Sequence, residues 1–300
     1  MSYVLVSEMM ITEGAIRSLS TGCDDEILCG SQANSPNVRR FKITAQAMDA
    51  LPEFEEVGEA IVHDHWIMAV TSLKPGMNAS YPDGVFITGC QDSNIRVFNP
   101  NTQELLFKIE GHTKPVVSLS WTANGKLVSG SWDGTARIWD LELGGACLME
   151  LTGHENAVAV LGLSNGALLT TSTGENVNGK PANFSLRVWD PVTGKQQGAS
   201  IEHHAGSIRD VKAVPGLPNG FATTSNDGSV RVYSVDESGA GAMAVSGGGG
   251  GGEGNGSGAV MSAADVVPGA VYVFCSMFFL PSFLPSCLSF LVYDGLFASF

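Results

Sequence analysis

Residues 111–140 read GHTKPVVSLSWTANGKLVSGSWDGTARIWD, and this stretch decides the fold. Gly111 and His112 open it. Apolar residues then alternate at Val117, Leu119 and Trp121, the period-2 pattern of a strand with one buried face. Asn124-Gly125 is a hairpin pair, because both residues tolerate positive φ. A second strand is expected over Leu127–Ser131, a turn at Asp133-Gly134, and a third strand carrying Ala136, Ile138 and Trp139.

Units of about 40–45 residues that open on Gly-His and close on Trp-Asp are the mark of WD-repeat blades in a β-propeller. The spacing has a physical reason. A buried carboxylate is costly unless its oxygens are hydrogen-bonded, and imidazole, hydroxyl and indole groups meet that need. The expected relay runs from His112 to Asp133, from Asp133 to Ser129, and from Ser129 to Trp139. Ser, His and Asp together invite a hydrolase reading. Ser129, however, lies inside a strand with no nucleophile elbow, and the same set recurs along the chain. The expectation is therefore a structural relay and no enzyme.

Outward from this stretch, four further repeats follow the same grammar, and the five fall near residues 13–43, 65–98, 111–140, 153–190 and 204–236. The first is degenerate, with SQANSPN in place of the Asp turn and Phe41 in the Trp place. The second has Thr88, Asp92 and Phe98 at relay positions, with His65 read as the repeat histidine and His63 as an exposed loop residue. The fourth opens on Gly153-His154, closes on SLRVWD, and carries the insertion TGENVNGKPANF where the Asp turn would be. The fifth uses His204, Thr223, Asp227 and Tyr233. Asp precedes the aromatic by six positions in repeats two, three and five. A YVLVS strand at residues 3–7 is expected to complete the last blade of a closed ring. Residues 1–236 thus read as an all-β propeller with five recognisable repeats, a fragment of a seven-bladed ring.

Beyond Asp236 the pattern stops. Residues 237–258 are mostly Gly, Ser and Ala, with six consecutive glycines at 247–252, the composition of a flexible linker. Residues 259–300 form an apolar tail, uncharged between Asp265 and Asp294. It is long enough to span a bilayer, yet Pro281 and Pro285 break a helix and no basic residue flanks it. Phe, Leu, Pro and Ser dominate, and all have pyrimidine-rich codons. We read the tail as translated non-coding sequence from a mispredicted gene model; a tail anchor and an added packing strand are the alternatives.

The chain has 300 residues and a formal net charge of −14, which argues against nucleic acid, whose phosphates need a basic surface. Its six cysteines show no CxxC and no zinc spacing, as expected of reduced thiols in the cytoplasm or nucleus. The N-terminus has no basic n-region, so no signal peptide is expected. GENVNGK at residues 174–180 departs from a phosphate loop at Pro181, and His63-Asp64-His65 is read as loop, so no metal or cofactor is expected.

Several stretches resemble the N-terminal propeller of the phospholipase-activating protein family, the ubiquitin-binding WD-repeat proteins: IRSLS at Ile16, FITGCQDSNIRVF at Phe86, KPVVSLSW with LVSGSWDGTARIW, and SIRDVKAV with ATTSNDGSVRVY. The resemblance covers residues 13–236. It implies ubiquitin homeostasis and proteasome-linked turnover, with ubiquitin or ubiquitinated proteins as partners of a non-enzymatic adaptor. An AAA-type unfoldase is a partner only through downstream domains that this chain does not contain. The alternative is a generic WD-repeat scaffold for another complex, with a membrane tether through the tail as a further variant.

Propellers usually bind through the top rim of the channel. The residues expected there flank the first inward apolar of each repeat or precede the turn Asp: Arg17, Trp66, Met68, Gln91, Pro115, Val117, Trp132, Ser207, Arg209 and Asn226, with Ala15, Ala157 and Ala159. Trp66, Met68 and Trp132 are large apolar groups at positions expected to face solvent, the composition of a binding hot spot.

Overall fold

The structure, a computed structural model, describes residues 15–22, 26–32, 38–44, 53–156, 158–172, 184–235 and 242–245. They form no helix; they form five four-stranded antiparallel sheets arranged as propeller blades. Blade one is β1 (Ile16–Thr21), β2 (Ile27–Ser31), β3 (Val38–Thr44) and β4 (Glu53–Glu56). Blade two is β5 (Ile67–Leu73), β6 (Val85–Cys90), β7 (Ile95–Phe98) and β8 (Leu105–Ile109). Blade three is β9 (Val116–Trp121), β10 (Leu127–Ser131), β11 (Ala136–Asp140) and β12 (Ala146–Leu151). Blade four is β13 (Val158–Gly162), β14 (Leu168–Ser172), β15 (Leu186–Trp189) and β16 (Gln196–Ile201). Blade five is β17 (Ile208–Ala213), β18 (Gly220–Ser225), β19 (Val230–Val235) and β20 (Ala242–Val245).

Each blade is a meander in which sequence neighbours pair. The hairpins turn where the sequence carries turn residues. Asn124-Gly125 bends β9 into β10 with φ of 76° at Gly125, a left-handed value that glycine adopts at no steric cost. The strand over 242–245 is antiparallel to β19 and lies inside the span read as a linker, so blade five extends past Asp236. The YVLVS segment, Ala157, residues 173–183 of the blade-four insertion and the apolar tail lie outside the described residues.

The first strands β1, β5, β9, β13 and β17 pack one against the next in series. The cores lie between blades. Leu28 and Val38 of blade one meet Ile67, Val70 and Phe86 of blade two. Ile87 and Val97 of blade two meet Val116, Leu127 and Trp139 of blade three. Val128 and Ile138 meet Val160 and Leu168, and Leu169 and Leu186 meet Val211 and Phe221. Burying such side chains contributes about 1.5–3 kcal/mol each, so a blade is stable mainly through its neighbours.

Close approach of blades demands small side chains at one position. An added Cβ on Gly30 would lie 2.6 Å from Ile67, on Gly89 2.8 Å from Val116, and on Gly130 2.1 Å from the Val158 carbonyl oxygen. First-strand serines tie neighbouring blades by accepting backbone N–H groups: Ser18 from Val70 at 3.0 Å, Ser118 from Val160 at 3.0 Å and Ser120 from Gly162 at 3.1 Å.

The core pattern of β9 differs from the simple alternation through Val117. A register shift sets Val116 opposite Ser131 and Ser118 opposite Gly130, leaving Val117 as a bulge. Val116 is fully buried, and Val117 is half-buried. Equivalent shifts pass over Arg17, Met68 and Arg209 in blades one, two and five.

Candidate functional site: the blade relays and the top rim

The relay of blade three is complete. His112 Nδ1 lies 2.8 Å from Asp133 Oδ2, and His112 Nε2 lies 2.7 Å from Ser129 Oγ. The Trp139 indole donates to Ser129 Oγ at 2.7 Å. The order is Asp133–His112–Ser129–Trp139, so the imidazole bridges carboxylate and hydroxyl, and the expected Asp133–Ser129 link is replaced. The reason is geometric. Asp133 sits in the turn beyond β10, where Thr113 N–H and Thr135 also donate to it. Burial pushes the Asp133 carboxyl up, but His112, Thr135 and Thr113 outweigh it and hold it well below the usual carboxylate range.

Blade five repeats this geometry, with His204 Nδ1 at 2.9 Å from Asp227 and Nε2 at 2.7 Å from Thr223. Tyr233 holds the Trp place and is almost fully buried. Among the described residues, blade four shows the inner half of the relay: His154 Nε2 and the Trp189 indole both meet Thr170 Oγ1 at 2.7 Å. Among the described residues, His154 Nδ1 has no hydrogen-bond partner, and burial, reinforced by Arg187, lowers its pKa to about 3.

Blade two corrects the sequence reading. His65 is exposed, and His63 is the buried histidine, edge-on to Phe98 at 5.5 Å between ring centres. The signal was present in the spacing. His112, His154 and His204 each precede the first residue of their inner strand by four positions, and His63 has that same offset from Ile67. Burial and Arg96 lower the His63 pKa to about 4. Asp92 turns to Arg96, which donates through both terminal nitrogens, one at 2.5 Å. The Phe98 ring brings no N–H, and among the described residues the buried Thr88 hydroxyl has no hydrogen-bond partner.

The rim is a repeated backbone clamp. In blades one, two, three and five the residue before the first strand offers its carbonyl to the N–H of the residue after the second strand. Gln32 donates to Ala15 at 2.8 Å, Gln91 to Trp66 at 2.9 Å, Trp132 to Pro115 at 3.0 Å, and Asn226 to Ser207 at 2.9 Å. These rim residues are therefore brought together in pairs within their blades. The bulge residue sits beside each clamp. Arg17 reaches Gln32 Oε1 through Nε at 2.9 Å and a terminal nitrogen at 2.7 Å, and Arg209 reaches Asn226 Oδ1 at 2.9 Å.

Exposure separates the expected rim residues. Trp66 and Trp132 are 37% and 44% exposed, and Gln91 and Asn226 are exposed. Pro115 and Val117 are half-buried. Met68 is a correction: it stands at the bulge position of blade two, and only 6% of it is exposed. Ser207 is likewise buried and offers its carbonyl to the clamp. Gln32, missed by the sequence reading, belongs to the same set. Its signal was its place one residue after Ser31, matching Gln91, Trp132 and Asn226.

The model of the WD domain, G-beta repeat family matches residues 103–140 and 195–234. Each match starts at the outer strand of one blade and ends in the third strand of the next, so the sequence unit is staggered across the blade boundary. Phospholipase A-2-activating protein of Xenopus laevis is 38% identical over 105 residues, 35% of this chain and 12% of the relative. Cell division control protein 4 of Saccharomyces cerevisiae is 34% identical over 97 residues, 32% of this chain and 12% of the relative. Pre-mRNA-processing factor 19 of Mus musculus is 29% identical over 157 residues, 50% of this chain and 29% of the relative. The chain thus aligns with between about an eighth and a third of the length of these relatives. The chain carries WD40 repeats over residues 103–140 and 195–234, within five antiparallel sheets arranged as propeller blades.

Proposed function

We propose that this chain is a non-enzymatic adaptor that binds ubiquitin or ubiquitinated proteins through its top rim, in ubiquitin homeostasis and proteasome-dependent protein catabolism. The observation that carries the reading is the pair of exposed tryptophans, Trp66 and Trp132. Each is fastened to its clamp through the backbone, and 37% of Trp66 and 44% of Trp132 stays exposed to a partner. A large aromatic on a rigid element is the usual anchor of an interface. The apolar patch of ubiquitin, rimmed by basic residues, suits such anchors on a chain of net charge −14. The sequence resemblance and the partial match to a phospholipase A-2-activating protein support the same partner. The histidine, serine and aspartate clusters serve blade closure, which supports the non-enzymatic reading.

The test is titration of monoubiquitin against the full chain and its Trp132→Ala variant. A loss of affinity of at least about tenfold, on the order of 1.4 kcal/mol, is expected. Equal binding by the variant overturns the site. A second reading, a scaffold for another complex, is favoured by matches to relatives as different as a cell division control protein and a pre-mRNA-processing factor. Failure of the unaltered chain to bind ubiquitin would select it. Work in the cytoplasm and nucleus belongs to the first reading, and recruitment of an AAA-type unfoldase would require domains outside this chain. Among the described residues, no helix is long and apolar enough to cross a membrane.

A further inference from the structure

Blade five presents an open face. In blade three, Ala136 and Ile138 face blade four and are 0% and 2% exposed. Their counterparts in blade five are Val230 and Val232, placed by the pairings Gly130–Ala136 and Thr224–Val230. Val230 is 56% exposed, Val232 is half-buried, and Thr224 stands where blades one to three have glycine. Asp210 occupies the β17 position matching Ser118, which accepts an N–H from the next blade. Among the described residues, β17 makes no packing onto β1 comparable to that between successive first strands. Among the described residues no blade lies on this face, which offers Val230, Val232 and the Asp210 carboxylate, itself paired with Lys212 at 3.3 Å.

The chain itself carries a segment that fits. It leaves blade five at Val245, opposite Val232. After twenty-four intervening residues, 246–269, which begin Gly-rich, comes AVYVF at residues 270–274, apolar, β-prone and uncharged. A flexible tether of that length spans roughly 25–30 Å, and stacked sheets lie only about 10 Å apart. An uncharged apolar segment left in water is costly, and Val230 with Val232 is an apolar surface within its reach. We propose that residues 270–274 pack as a strand on this open face of blade five and stand in for the blade that covers each earlier face. This occupant favours the packing-strand reading of the tail, and it is independent of ubiquitin binding.

The experiment uses the full chain with exposed Cys147 replaced by serine. Val230→Cys is compared with Val192→Cys, a control at a position 74% exposed in a turn of blade four. Alkylation by a maleimide is followed peptide by peptide, and a short bis-maleimide then tests for a link to Cys275. The proposal expects Val230→Cys to react roughly tenfold more slowly than the control at every protein concentration, and to join Cys275 of its own chain. Equal rates at the two positions overturn it. So does protection that grows with concentration, or a link between two chains, either of which assigns the face to a second copy. A link to Cys23 overturns it in favour of the N-terminal segment. Thr224→Cys, on the adjacent strand, repeats the measurement if Val230→Cys misfolds.

Discussion

His112 Nε2 sits 2.7 Å from Ser129 Oγ, and the same oxygen receives the Trp139 indole N–H at 2.7 Å. One hydroxyl therefore closes a chain that runs from the Asp133 turn across the blade to its third strand. Ser129 is fully buried, so its two partners have no water to turn to.

Ser129→Ala leaves a buried imidazole nitrogen and a buried indole N–H unpaired. Each such group costs about 1–3 kcal/mol. A loss of about 3 kcal/mol in unfolding free energy is expected by urea denaturation. The Ser129→Thr variant keeps the hydroxyl, as Thr170 and Thr223 do in blades four and five, and should lose much less.

His63 and His65 separate cleanly. His63→Ala removes a buried ring packed on Phe98 and should cost about 2–3 kcal/mol, in the range of a cavity with lost polar contacts. His65→Ala, at an exposed position, should stay within about 0.5 kcal/mol. Thermal melts of the two variants check the assignment. A larger effect at His65 would return the relay role to it.

Two kinds of group link stability to pH. His63 and His154 are held to about 4 and about 3, below the unfolded value near 6.5. A lowered folded pKa means that the unfolded chain takes up protons first. The contribution is complete above about pH 6.5 and is lost as pH falls toward 4 and then 3. The Asp133 and Asp227 carboxyls are also held low, so their contribution is present above about pH 4 and lost as pH falls further. Stability should thus decline from about pH 6.5 downward. His154→Gln should flatten the slope between pH 6.5 and 4 by about one proton. An unchanged slope would show that His154 does not titrate differently on folding.

Glycines test blade stacking. Gly130→Ala puts a methyl 2.1 Å from the Val158 carbonyl oxygen and should cost about 3 kcal/mol or more. Gly125→Ala meets nothing within 4 Å, and its φ of 76° should cost only about 1 kcal/mol. Denaturation midpoints of the pair distinguish contact between blades from backbone strain.

The sequence by itself determined the blades. Alternating apolar residues, Asn-Gly and Asp-Gly turns, and the fixed interval from Asp to the aromatic are local features, and local features survive without coordinates. They placed Thr88, Ser129, Thr223 and their aspartates on the right strands and turns. They also marked Trp66 and Trp132, whose exposure follows from loop positions before and after strands.

Tertiary structure decided what depends on a neighbour. The bulges at Arg17, Met68, Val117 and Arg209 break the period of two, so alternation alone misassigned which valine of β9 is buried and turned Met68 outward. His63 was hidden by a competing histidine two residues away, and the offset to Ile67 became visible only once the strand start was known. The relay order required distances, because Ser, His and Asp spacing permits either link. The open face of blade five needed the whole arrangement, since a valine in a strand reads alike whether or not a blade lies over it. A chain encodes its turns within a few residues, but burial is a property of surfaces that meet only after folding.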